Sequence, residues 1–333
     1  MTLFEGLPIG LTTALSAAAA IALSPFIILQ SPSPAKAADY SQIYSFGDSL
    51  VDTGNTFSLS KSFVGEGFPP PPYFEGRFAN GPLWNEYLAE DLGVPLTNFG
   101  FAGARSSRDV NDPSEGTIPG FTLPGLLTQV DQFTANQALV DPNALYLVSS
   151  GANDYLSGGE QNPQKPVLDI TAALLALSEA GAQHIVVGNQ PPLGSLPAAK
   201  QLGISDPLNQ LSEAHNQGLA LAISGLTANG LKIDLLDING LIRDAQAGKF
   251  GFENTTDPCI SDLACLTSPE VQATTLFWDD EHPTTRAHFL VAEAALEQLE
   301  AHKVSTPEPG TLVGIMFLGG LAVSQLKRKL DKV

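Results

Sequence analysis

Cations are scarce in this chain: 16 lysines and arginines stand against 35 aspartates and glutamates, a formal net charge of −19. A surface so poor in positive charge offers nothing to a phosphate backbone and repels an anionic membrane. Nucleic acid is therefore excluded as a partner, and a small or neutral substrate is expected. Cysteine is scarcer still. The two present, Cys259 and Cys265, suit one local disulfide or a pair of free thiols, whereas a metal site would need more ligands. No internal repeat and no interdomain linker divides the body of the chain. With 43% hydrophobic residues and 15% charged ones, 333 residues can bury the core of one large domain.

The two ends read as address labels. Residues 7–29 are apolar and rich in alanine, and Ala35-Lys36-Ala37 follows as an A-x-A cleavage site. Residues 1–37 are thus expected to be a signal peptide, with Ala38 the mature N-terminus. At the other end Pro307-Glu308-Pro309 precedes an apolar run to Leu326 and the basic cluster Lys327-Arg328-Lys329. A helix over 309–326 would run roughly 27 Å at about 1.5 Å per residue, close to a bilayer core of about 30 Å. The basic cluster marks its cytoplasmic end. Residues 307–333 are read as a transient anchor and 38–306 as the folded domain.

Within that domain, short apolar runs alternate with amphipathic stretches. Strands are expected at 43–46, 96–100, 145–149, 185–188 and 231–235, and helices over 84–92, 126–133, 167–177, 208–228 and 284–303. Strands that alternate with helices build a three-layer α/β/α architecture around a central, mostly parallel sheet of about five strands. Residues 58–81, with Pro69-Pro70-Pro71-Pro72, read as a stiff irregular loop, and 253–268 as a loop holding the two cysteines.

Chemistry gathers at strand ends. The first strand stops in Gly47-Asp48-Ser49, which presents a hydroxyl on a turn at the carboxyl edge of the sheet, where ligands bind in open α/β folds. The strand at 145–149 delivers Asn153, whose amide offers uncharged N–H donors, and Asp154, an ordinary turn residue. Of five histidines, His282 has a carboxylate three positions earlier. Residues so spaced share one side of a helical turn, so Asp279 can accept from Nδ1–H while Nε2 faces Ser49. His215, His288 and His302 fall on helical stretches and are expected to be half-buried or solvated. Asp280 and Glu281 flank His282, and negative charge there is expected to raise its pKa above about 6.5.

Four segments carry a family resemblance: Phe46-Gly47-Asp48-Ser49-Leu50, Asn98 to Ala104 (NFGFAGA), Ser150 to Tyr155 (SGANDY) and Phe277 to Thr284 (FWDDEHPT). In this order they resemble the four blocks of the GDSL or SGNH serine esterases and lipases, over Tyr44 to Leu299. The resemblance implies a flavodoxin-like fold with Ser49 as nucleophile and Asp279 and His282 as its partners. It implies an oxyanion hole of the Ser49 and Gly103 backbone N–H groups and the Asn153 side chain, and no cofactor or metal. The expected substrate is a small-molecule, lipid or glycan ester. A carbohydrate O-acetyl esterase or a thioesterase would use the same residues, and a non-catalytic glycan- or lipid-binding module is the reading outside enzymes. The C-terminal segment resembles the PEP-CTERM sorting signal, which implies a sorting protease as partner and a place in the periplasm, on the outer surface or outside the cell.

Overall fold

The computed structural model describes residues 40–110 and 122–305. The segments expected to be a signal peptide (1–37) and a sorting tail (307–333) lie outside the described residues. The central sheet has five strands: β1 Ile43–Gly47, β2 Leu96–Asn98, β3 Leu145–Ser149, β4 His184–Gly188 and β5 Ile233–Leu236. Their spatial order is β2-β1-β3-β4-β5, and every pair is parallel. This is the flavodoxin-like order, in which the chain reverses direction between β1 and β3 and opens a crevice at their carboxyl ends.

Burial on both faces explains the near-continuous apolar strands. Along β3, Leu145 and Leu147 enter one core while Tyr146 and Val148 enter the other. The first core is closed by Trp84 and Leu88 of α2 (Trp84–Leu92), Ile242 of α8 (Ile238–Gln246) and Val291 of α11 (Thr285–Ser305). The second is closed by Phe133 of α3 (Leu126–Thr134), Leu174 of α5 (Gln164–Ala180) and Leu219 of α7 (Ser205–Ala228). Two short helices complete the crossovers, α4 (Ala152–Leu156) after β3 and α6 (Pro197–Leu202) before α7.

Three expectations need correction. The stretch 58–81 is not irregular throughout, because α1 (Asn55–Val64) occupies its start; the buried Asp52 carboxylate accepts the N–H groups of Gly54, Asn55 and Thr56 and so caps that helix. Three short helical segments likewise fill the cysteine loop: a 3₁₀ turn at Cys259–Ser261, then α9 (Leu263–Thr267) and α10 (Pro269–Ala273), which starts at the end of that stretch. His215 and His288 are neither half-buried nor solvated: they are 0% and 2% exposed, and burial pushes their pKa values down to about 4 and about 3. The backbone of His302 falls within α11.

Cys259 and Cys265 are joined in a disulfide with Cα atoms 5.3 Å apart. That bond packs beneath Trp278. The loop also donates Cys259 N–H to the Phe277 carbonyl and Ile260 N–H to the Trp278 carbonyl, bracing the segment that leads into Asp279. Among the described residues no helix is long and apolar enough to cross a membrane.

Candidate active site

Ser49 stands two residues beyond β1 and is 7% exposed. Its turn depends on Gly47, whose φ of +143° is disfavoured for other residues and whose position would drive any Cβ into the Ser149 carbonyl. The same peptide is gripped from below by Gln129 of α3. Gly47 N–H donates to its Oε1 at 2.8 Å, and its Nε2 donates to the Gly47 carbonyl at 2.9 Å. Asn85 of α2 donates to the Val51 carbonyl and to Ser45 Oγ, tying the far side of the turn to the sheet.

Opposite this turn lies the Phe277–Thr284 segment. It folds back on itself through a bridge between Phe277 and Pro283, with Trp278 N–H donating to the His282 carbonyl. The fold-back brings His282 Nε2 to 2.8 Å from Ser49 Oγ, across 233 positions of sequence. Behind the ring, Nδ1 lies 2.9 and 2.8 Å from the two oxygens of Asp279. Oδ1 of Asp279 also accepts the backbone N–H groups of Glu281 and His282.

Charges around this pair settle its electrostatics. Burial, the largest single influence on His282, disfavours the imidazolium. The carboxylates of Asp279, Glu281 and Asp48 outweigh it together, so the ring titrates above its ordinary value. For Asp279 burial acts upward, but His282 and the two backbone N–H groups hold the carboxyl below its usual range. Of the two flanking acids named from the sequence, Glu281 is among the main influences on the ring, while the exposed carboxylate of Asp280 accepts from Gln201. Asp48, beside Ser49, supplies the other charge; burial pushes its own pKa up to about 7.

Asn153 sits in the first turn of α4. Its Nδ2 donates to the Ala104 carbonyl at 3.1 Å, in the turn after β2 that carries Gly103 at φ +78°. Asp154 secures the same junction by accepting the N–H and hydroxyl of Ser106, each at 2.8 Å. Asp52 adds a third tie by accepting Ala102 N–H. Ser49, Asn153 and His282 line one cavity. Gly103 is not on that wall; its turn reaches the site through Ala104. Away from its polar end the cavity is walled by Leu156, Leu196, Ile238, Ile242 and Val291, with Trp84 among them. Among the described residues no group of three or more His, Cys, Asp or Glu side chains is gathered as a metal site.

A family model for GDSL-like lipase/acylhydrolase matches residues 43–295. The chain belongs to the GDSL-like lipase/acylhydrolase family. It is accordingly a GDSL-type ester hydrolase. The thermolabile hemolysin of Vibrio parahaemolyticus is 28% identical over 279 residues, which cover 77% of this chain and 63% of that protein's length. The phosphatidylcholine-sterol acyltransferase of Aeromonas hydrophila is 28% identical over 316 residues, covering 79% of this chain and 91% of that protein. Among solved structures, the native aryl esterase of M. smegmatis aligns over 78% of this chain and 99% of its own, at 17% identity and a TM-score of 0.48.

Several residues that build this GDSL site give little sign in the sequence. Gln129 and Asn85 read as polar positions on amphipathic helices, and nothing local tells that their side chains close on the Ser49 turn. Tyr73, whose hydroxyl donates to Asp279 Oδ2 at 2.8 Å, was hidden in the proline-rich arm. Asp52 and Asn55 carry a weak local signal, since both residue types are favoured around helix starts, but their reach to Ala102 and Gly100 is tertiary.

Proposed function

We propose that this protein is an exported serine hydrolase that cleaves carboxylic esters of aliphatic acyl chains through an acyl-enzyme intermediate. The observation that carries the reading is the 2.8 Å contact of Ser49 Oγ with His282 Nε2, at the mouth of an apolar cavity. Ser49 Oγ attacks the ester carbonyl as its proton passes to His282 Nε2, and Asp279 steadies the imidazolium through Nδ1–H. The oxyanion takes hydrogen bonds from the Ser49 N–H and from the Asn153 amide, whose second N–H is left over from its bond to Ala104, with the Gly103 N–H as the third donor that the family resemblance implies. His282 then gives its proton to the departing alcohol. Water, deprotonated by His282, releases the acid and restores the Ser49 hydroxyl.

The acyl group is the part the cavity selects. Each buried methylene is worth about 0.8 kcal/mol, so walls of leucine, isoleucine and valine favour a chain of several carbons over acetyl. This weighs against an O-acetyl polysaccharide as substrate. The hydrogen-bonded Ser-His-Asp set weighs against a non-catalytic binding module, which has no use for an activated hydroxyl.

A fluorophosphonate probe and a series of p-nitrophenyl esters test both parts. Labelling is expected at Ser49 and is expected to vanish in Ser49→Ala, while kcat/KM rises roughly tenfold or more from acetyl to octanoyl ester. Labelling at another serine overturns the mechanism; intact labelling with an acetyl preference overturns only the acyl-chain assignment. Likeness to the sterol acyltransferase favours one second reading, in which an alcohol rather than water resolves the acyl-enzyme. Ester formation when a long-chain alcohol is added to the assay would establish it. Export rests on the leader ending at Ala37 and the tail from Pro307, with a sorting protease as the tail's partner and the tail as a transient membrane anchor.

A further inference from the structure

We infer that Tyr73 is a positioning residue that completes the hydrogen bonding of the Asp279 carboxylate and so governs its hold on His282. The inference rests on the serine hydrolase reading above. A carboxylate has about four lone-pair sites. In Asp279 all are engaged: Oδ1 takes the N–H groups of Glu281 and His282, Oδ2 takes the Tyr73 hydroxyl at 2.8 Å, and His282 Nδ1 is shared between them at 2.9 and 2.8 Å. The side chains of both Asp279 and His282 are largely buried, at 14% and 13% exposure, so water is poorly placed to replace a lost donor.

The contact is built rather than incidental. Tyr73 lies 206 positions from Asp279 and is delivered by the arm that follows α1. Its ring meets Trp278 and Phe78 edge-on, and Phe78 in turn packs on the His282 ring at 5.0 Å between centroids. The arm is fastened at its base, where Arg77 pairs with Glu86 of α2 at 2.6 Å and Phe74 N–H donates to the Ala79 carbonyl. Burial, then the charges of Asp279, Asp280 and Glu281, push the Tyr73 phenol far above its ordinary range. It therefore stays a protonated donor at any working pH.

A neutral donor on Oδ2 draws off part of the negative charge that His282 feels. The other groups facing the ring are Asp48 on the nucleophile turn, Glu281 on its own loop and His288 on α11, and none of them replaces this bond. Removing the hydroxyl should strengthen the attraction of Asp279 for the imidazolium, so that His282 keeps its proton to higher pH. The expected sign is an upward move of the acid limb, opposite to the effect of deleting a nearby carboxylate.

The test is kcat/KM against pH on a soluble acyl ester for wild type, Tyr73→Phe, and protein with 3-fluorotyrosine inserted at position 73. Phenylalanine keeps the ring contacts, and its acid limb is expected to rise by about half to one pH unit. Activity near pH 6 then falls about three- to tenfold, while the alkaline plateau stays within about threefold and KM is unchanged. The fluorinated phenol is a stronger donor and should move the limb the other way, a readout that remains if Tyr73→Phe does not fold. Coincident limbs, or a loss of the same factor at every pH, would assign Tyr73 a purely structural role and overturn the inference while leaving the hydrolase reading intact. A wild-type protein that neither labels nor hydrolyses esters would overturn both.

Discussion

In the proposed mechanism a base must be neutral to accept the Ser49 proton, so activity depends on the charges around one ring. Since His282 titrates above its ordinary value, the acid limb of kcat/KM should lie above about pH 6.5. Glu281→Gln removes one of the raising charges and should bring the limb down, most clearly at low salt because Glu281 lies at the cavity mouth. Asp280→Asn should leave it in place, since that carboxylate faces Gln201. A limb that moves equally in both variants would mean that the field is long-range rather than set by contact. Asp48 makes a stability prediction from the same logic. Its carboxyl is raised to about 7 in the fold but stands near 3.9 when unfolded. A raised group contributes stability that is complete below the unfolded value and lost as pH rises through the folded one. Asp48→Asn abolishes that loss. Urea unfolding should find the variant more stable than wild type near pH 8, by up to a few kcal/mol at about 1.4 kcal/mol per unit, with the gap closing toward about pH 4. A gap that persists unchanged at about pH 4 would refute titration as its cause.

Helices, loops and strand ends act here as holders for single side chains. The α3 helix buries an apolar face in the second core, yet its Gln129 leaves that pattern to close the Gly47 peptide and the Pro124 carbonyl. Gln129→Ala would strand the buried Gly47 N–H at the base of the Ser49 turn, while the Gly47 carbonyl keeps the Phe101 N–H. A stranded donor costs about 1 to 3 kcal/mol, so the melting temperature should fall by roughly 2 to 12 °C. Because the slack appears next to Ser49, kcat should drop more than KM rises. Equal melting temperatures would show that the turn is rigid without this clamp. The disulfide loop plays the matching part on the opposite bank, where its backbone bonds to Phe277 and Trp278 hold the segment that ends in Asp279. Its short helices escaped the sequence reading because one-turn helices are too brief for hydrophobic periodicity to register. The start of α1 escaped for a related reason: Asn55, Thr56, Ser58, Ser60 and Ser62 carry little apolar signal, and the helix is fixed instead by the Asp52 cap and by Asn55 bonding to Asn98 and Gly100.

For the molecule as a whole, the proposed ends make a prediction about mass. Protein recovered from the cell envelope should begin near Ala38 and lack the residues after Pro307, and intact-mass spectrometry under non-reducing conditions should account for the Cys259–Cys265 bond. Full-length protein confined to the cytosol would refute export. How much of this molecule was legible beforehand follows from what is local and what is not. The sequence by itself determined the strands β1, β3 and β4, because both their faces are buried and apolar residues must run without a break. It also determined that Ser49 stands on a turn at a strand end and the Asp279–His282 pair on a tight loop, because glycine and short polar residues dictate such turns locally. Only the tertiary structure decided that His282 Nε2 meets Ser49 Oγ, that Asp48 joins Glu281 in charging the ring, and that Tyr73 donates to Asp279. Those contacts join residues as much as 233 positions apart, and hydrogen bonds between side chains that distant leave no period or spacing in the chain that makes them.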